Sequence, residues 1–404
     1  MLLVGIILVL KCEAFSSNSR NAALGPIILG HNHPAVTEAV TEQIQAGTVF
    51  TTEHPLHLEV AERLVQLVPC AEMVRFAKNG NDVTALAAKL ARAHTGREVI
   101  ATQGYHGWPD TWMADSDGLN AGIPRGMQGY TESFAYHDID SVERIFAEHP
   151  DNVAAIVTTP VNLEPPENGF LEALKDLASR EGAVLVFDEI LTGFRFAPGG
   201  AQAYFDVTPD LACLAKAMAN GYPLAALVGR ESVMRTMERD EFYFSATYAG
   251  EAASLAAADA TLRTLTAEPV TEHIFAIGQA LRDGVTDLVA DADLEDVVTV
   301  QGLPPRFSIT FADEVETGID PDVCAPDRLL RSLFMQEAHQ RGVLFSGSHI
   351  PTYAHTEDHV ERVLGVYQEC LKILANALAA NDVAARLRGD PVGATFRERT
   401  EEET

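Results

Sequence analysis

Lysine is scarce: of 29 basic residues only six are lysines, Lys11, Lys78, Lys89, Lys175, Lys216 and Lys372. Any chemistry that needs an amine has few candidates. Cysteine is scarce too, and Cys12, Cys70, Cys213, Cys324 and Cys370 are odd in number and scattered. Without a Cys-x-x-Cys pair, a zinc knuckle or dithiol redox motif is excluded, and a reducing cytoplasm fits best. No apolar run reaches membrane-spanning length, which excludes a multi-pass membrane protein. The run Leu2–Leu10 is like a signal-peptide core, yet no positive residue precedes it and Lys11 follows, so it reads as native or mis-started sequence. Positive charge is short overall, 29 Lys and Arg against 58 Asp and Glu, a net −29 that would repel a nucleic-acid backbone. A salty cytoplasm would explain that balance, and a high-GC genome would explain the arginine bias; both stay open. Metal ligation is not expected, because His31-Asn32-His33 and His54-Pro55-Leu56-His57 have no companion ligands among the 13 histidines. Internal repeats and low-complexity tracts are missing as well.

What the chain does have is length, 404 residues with 47 % hydrophobic and 22 % charged, enough for two globular domains. Helical periodicity is expected over 36–47, 55–68, 82–95, 140–148 and 170–181. Short apolar runs alternate with it: Met73–Ala77, Val99–Thr102, Ala154–Thr158, Ala183–Phe187, Leu211–Leu214 and Ala225–Val228. That alternation predicts an α/β domain with a mainly parallel sheet. An Ala-rich helix, Glu251–Leu265, leads out of it. Helices near 271–288, 326–341 and 357–380 around a strand pair, Val297–Val300 and Arg306–Phe311, predict a smaller α+β C-terminal domain. The expected divisions are an N-terminal segment 1–34, a large domain 35–266, a small domain 267–392 and a tail 393–404, frayed from Phe396.

Function in such sheets gathers at strand carboxyl ends. Asp188 stands directly after Ala183–Phe187, and Lys216 just beyond Leu211–Leu214 in Ala-Lys-Ala-Met-Ala-Asn-Gly-Tyr-Pro-Leu. Burial among small apolar neighbours lowers an amine's pKa and makes it a nucleophile. A carboxylate and an amine at neighbouring strand ends are the two groups that pyridoxal phosphate needs, one for its pyridinium nitrogen and one for a Schiff base.

The stretch Asp188-Glu189-Ile190-Leu191-Thr192-Gly193-Phe194-Arg195, with Pro209-Asp210-Leu211 and the Lys216 segment, resembles the class III aminotransferases, a fold-type I pyridoxal-phosphate family. The resemblance runs from about Gly25 to Leu374 and is strongest to the glutamate-1-semialdehyde aminotransferase-like branch. It implies a large transferase domain, the cofactor pyridoxal 5'-phosphate, and catalytic roles for Lys216 and Asp188. It makes Gly80 and Asn81 phosphate binders, with Asn81 where the family usually has Ser or Thr. Tyr105, in Gly104-Tyr105-His106-Gly107-Trp108, would stack on the cofactor ring, with His106 orienting the loop and Ile190, usually Val, on the ring's other face. Asn162 would lie beside the ring hydroxyl, although Thr159 replaces a usual Glu. Thr247 would reach the phosphate of a neighbouring subunit, which implies a homodimer with shared active sites. Glu251 and His349 are the substrate-side candidates. Arg195 either binds a substrate carboxylate or is a structural ion-pair member, and the structural role is the better expectation.

The implied activity is a cytoplasmic aminotransferase moving an amino group from a small-molecule donor to a small oxo acceptor, a keto sugar or a biosynthetic aldehyde or ketone. Besides another outcome on the same cofactor, decarboxylation or racemisation, which small groups around Cα would decide, two alternatives stand beside it. One is a glutamate-1-semialdehyde 2,1-aminomutase, an isomerase, against which counts the shortened loop between His349 and Tyr353, lacking a glutamate. The other is a cofactor-binding protein with little turnover, suggested by the atypical Met1–Phe15.

Overall fold

Runs of valine, isoleucine, leucine and alanine bounded by turn residues fold into strands, and the amphipathic stretches between them fold into helices. The computed structural model describes residues 24–116, 118–167, 169–317 and 324–392. The expectations for Met1–Phe15 and for a tail from Phe396 lie outside the described residues. The chain divides into two units, whose described parts are 24–276 and 277–392.

In the first unit, helices α1 (Pro34–Ala46) and α2 (Pro55–Leu67) precede strand β1 (Met73–Ala77) and helix α3 (Gly80–Thr95). Then follow β2 (Val99–Gln103), the short α4 (Asp110–Met113), β3 (Thr131–Ser133), α5 (Ile139–Glu148), β4 (Val153–Thr158), α6 (Phe170–Glu181) and β5 (Val184–Asp188). The short α7 (Ala201–Tyr204), β6 (Leu211–Leu214), β7 (Ala225–Gly229), the short α8 (Glu231–Met234) and α9 (Ala252–Ala267) complete it. The sheet runs β1-β7-β6-β5-β4-β2-β3, with β7 antiparallel to both neighbours and the other pairs parallel. Alternate residues face opposite layers, as the two-residue period of a strand requires. Val184 and Val186 pack with α3, while Leu185 and Phe187 pack with α5 and α6. Both faces are covered, which is why these strands read as continuous apolar runs.

The strands expected in this unit all form, with ends that match or shift by one residue. β3 was not expected: Thr-Glu-Ser is polar and short, and it is held as an edge strand by its pairing with β2. β5 includes Asp188 as its last residue, whereas the apolar run alone stops at Phe187.

Helix α10 (Val270–Asp291) leads into the second unit. There β8 (Val298–Leu303), β9 (Arg306–Phe311) and β10 (Ser348–His349) form an antiparallel sheet, with α11 (Pro326–Gln340) and α12 (Glu357–Ala379). One sheet face carries Val298, Phe307 and Ile309 into a core with Leu330, Phe334 and Tyr367. β8 runs past Val300 to Leu303 and closes a hairpin through Pro304-Pro305. Among the described residues Cys70, Cys213, Cys324 and Cys370 are unbridged and buried, and no helix is long and apolar enough to cross a membrane.

Candidate active site

Sheet register places Asp188 of β5 beside Cys213 of β6, three residues before Lys216. The carboxylate is buried and its oxygens are both engaged. Oδ1 accepts from the Ile190 amide at 3.1 Å, and Oδ2 lies 2.7 Å from His106 Nδ1. The other imidazole nitrogen, Nε2, is 3.0 Å from the Gln103 carbonyl oxygen. A carbonyl only accepts, so Nε2 carries a hydrogen, and a further hydrogen is shared between Nδ1 and Oδ2. Thr84 donates to the His106 carbonyl at 2.6 Å, and the Trp112 ring lies 5.0 Å from the imidazole. His106 is therefore fixed as an orienting group for Asp188.

Lys216 follows the end of β6 and opens a 3₁₀ turn, Lys216–Ala219, with its backbone at φ 42°. Left-handed backbone at a non-glycine residue costs on the order of 1 kcal/mol and concentrates at functional sites. Ala215, Ala217, Met218 and Ala219 around it are buried, the small apolar setting expected from sequence. Asn220, also left-handed, accepts from the Ile28 and Leu29 amides at 2.9 Å and donates to the Gly30 carbonyl at 3.0 Å. Arg195 is wholly buried and donates to the Gly25 carbonyl at 3.0 Å. Together they pin the segment from Gly25 to Gly30 against the lysine turn.

The start of α3 approaches this group closely. A Cβ on Gly80 would come within 2.7 Å of Ile190 Cδ1, and one on Gly107 within 2.8 Å of Asn81 Cβ. Only glycine lets the helix start, Ile190 and the Tyr105 loop share this space. The Asp82 carboxylate turns back to accept from the Lys78 and Asn79 amides at 3.2 and 2.8 Å. The Gly80 and Asn81 amides head the helix, where no preceding turn supplies acceptors and the dipole favours an anion. Gly80, Asn81, Tyr105, His106, Asp188 and Ile190 thus fall in one neighbourhood, with the Tyr105 side chain 72 % exposed.

The other sequence candidates stand on other elements. Asn162 is half-buried beyond β4, near Pro160, whose carbonyl accepts from the Tyr136 hydroxyl at 2.9 Å. Thr247 is exposed and lines a hollow of about 540 Å³ with Thr48, Phe50, His54, Arg75 and Glu251. Glu251 caps α9, accepting from the Ala253 and Ser254 amides, and pairs with Lys78 Nζ at 3.0 Å. Burial alone would raise its carboxyl, but the Ser254 hydroxyl and Lys78 hold it below the ordinary glutamate value. His349 belongs to the second unit: it is buried, stacked on Phe307 at 4.7 Å, with Nε2 2.8 Å from the Tyr367 hydroxyl.

Glu189 and Asn220 were not singled out from sequence. Glu189 is fully buried and accepts from Thr192 Oγ1, the Ala201 and Gln202 amides and Gln202 Nε2, at 2.6 to 3.0 Å. Burial pushes its carboxyl up, and these four donors pull it back. It ties the loop after Asp188 to the turn at Gly200. The signal for Glu189 was a second carboxylate in an otherwise apolar stretch; for Asn220 it was Asn-Gly directly after the lysine turn.

Comparison with known proteins agrees with this fold. The aminotransferase class-III family model matches residues 21–371. The glutamate-1-semialdehyde 2,1-aminomutase of Methanothermobacter thermautotrophicus is 36 % identical over 88 % of this chain and 87 % of its own. The 3-aminobutyryl-CoA aminotransferase of Cloacimonas acidaminovorans is 33 % identical, covering 86 % and 83 %. Among solved structures, the PLP-bearing FumI protein of Sphingopyxis sp. MTA144 superposes with a TM-score of 0.80 at 28 % identity, covering 89 % of this chain and 85 % of that one. By motif, fold and family match alike, the chain belongs to the class III aminotransferases.

Proposed function

We propose that this enzyme transfers an amino group from a small-molecule donor to a small oxo acceptor, a keto sugar or a biosynthetic aldehyde or ketone. As a class III aminotransferase it is a pyridoxal-phosphate enzyme. The residues present suit that cofactor: the Gly80 space that a Cβ would fill, a helix start with open amides, and a buried carboxylate beside the lysine turn. When bound, pyridoxal phosphate supplies an electron sink for breaking bonds at a substrate's Cα.

Each role falls to a residue already placed. Gly80 and Asn81 would hold the phosphate through backbone and amide donors. Tyr105 and Ile190 would bracket the ring, and Asn162 would bond its hydroxyl. Asp188 would keep a proton on the ring nitrogen, oriented by the hydrogen shared with His106 Nδ1. Lys216 Nζ would take the proton from substrate Cα and return it as general acid. The observation that carries this reading is the buried Asp188 carboxylate held by His106 and the Ile190 amide, one strand away from Lys216. Titrating the holoenzyme with candidate amines while recording its visible spectrum tests it. A true donor shifts the cofactor band, and a band that no amine or amino acid moves would sink the reading.

The aminomutase reading draws its support from the name shared by the 36 % identical relative and by others at 33 and 34 % identity. Turnover of a single amino-aldehyde without a second substrate would establish it in place of transfer between two molecules. A homodimer sharing its sites through Thr247 is part of the same proposal. Mixing Lys216→Ala with Thr247→Asp protein should then regain partial activity, because one site of each hybrid carries neither lesion. The four described cysteines, scattered and unbridged, support a cytoplasmic location.

A further inference from the structure

The small sheet of the second unit has two unlike faces. Val298, Val300, Phe307, Ile309 and Phe311 point into the core. Residues directly opposed in an antiparallel pair share a face, so the other face carries Leu303 with Arg306, Gln301 with Ser308 and Ser348, and Thr299 with Thr310. In a chain with 58 acidic residues this face has a cation, four hydroxyls and an amide, and no carboxylate. Arg306 Nε is out of contact with solvent and has no hydrogen-bond acceptor, and no carboxylate of the described residues pairs with the guanidinium. Burial pulls its pKa down with no acidic neighbour opposing that shift. A half-buried cation with no carboxylate partner loses hydration that no ion pair repays. The planar guanidinium fork matches a carboxylate or phosphate in two parallel hydrogen bonds, and hydroxyl side chains add donors beside it.

We propose that this polar sheet face, centred on Arg306, is a binding site for the anionic group of a small molecule, a carboxylate or a phosphate ester. The site rests on the second unit alone and goes beyond the transfer reaction assigned to Lys216 and Asp188. Its test needs no turnover, so it stands or falls separately from that reading.

Calorimetric titration of the holoenzyme, with succinate and with inorganic phosphate as probes, compares wild type with Arg306→Met and Arg306→Lys. Loss of the fork should weaken the bound probe by about ten- to a hundredfold in Arg306→Met, with Arg306→Lys in between. Binding of succinate alone assigns a carboxylate ligand, and binding of phosphate alone assigns a phosphate ester. Melting temperatures separate a site from a structural arginine. Without probe, Arg306→Met should melt at or above the wild-type temperature, since an uncompensated charge has gone, and the probe's stabilising effect should vanish. The proposal is overturned if wild type binds neither probe, if Arg306→Met binds them as wild type does, or if Arg306→Met melts lower with and without probe.

Discussion

Two single residues are proposed to carry the chemistry, and each has a distinct expected failure. The other described lysines are otherwise engaged or placed: Lys78, at the end of β1, is committed to Glu251, Lys89 to the Tyr243 carbonyl and Lys372 to Glu369, while Lys175 lies within α6. Lys216→Ala should therefore abolish turnover and leave no cofactor attached to the protein after borohydride reduction. Mass spectrometry of the reduced protein checks this, and a cofactor adduct on another lysine would refute the assignment. Asp188→Asn should fold, because an amide can still accept from Ile190, yet it cannot hold a ring proton by ion pairing. The rate should fall by roughly a hundredfold or more. Asp188 and Lys216 were legible in the sequence because strand ends, spacing and flanking words coincide. Glu189 was not, because its partners at Gly200 to Gln202 are brought to it only by the fold. Arg195 donates to a backbone carbonyl deep in the first unit, where the sequence reading favoured a structural ion pair.

At the level of elements, strands buried on both faces announced themselves as apolar runs, and long helices through their periodicity. The edge strand β3 and the two-residue β10 did not, since pairing rather than composition makes them strands. Helix α9 shows how a cap reaches beyond its own helix. Glu251 satisfies two amides of the first turn while binding Lys78 from the end of β1. Its carboxyl is held below its ordinary value of 4.5, so its contribution is present above that pH and is lost as pH falls through the depressed folded value. Glu251→Gln should lower the melting temperature at neutral pH and flatten its decline below about pH 4.5. Melting curves at a series of pH values check both. An acid limb as steep as the wild type's would place the dependence on other carboxylates.

The whole molecule carries a net charge of −29, and repulsion among its carboxylates weakens as salt shortens the screening length. Melting temperature and activity should rise with molar KCl, and a flat response would leave genome composition as the account of the arginine bias. The buried thiols give the molecule a separate property. Burial pushes Cys70 and Cys370 to about 12 and Cys213 well above its ordinary value. Only the thiolate reacts, so at pH 8 about one in ten thousand of such thiols is ionised, and an alkylating reagent must wait for the chain to open. Cys70 and Cys213 lie in the first unit, Cys324 and Cys370 in the second. The chain thus carries its own pair of clocks: labelling followed by peptide mass should show both pairs modified together if the units open as one, and in two phases if either opens first.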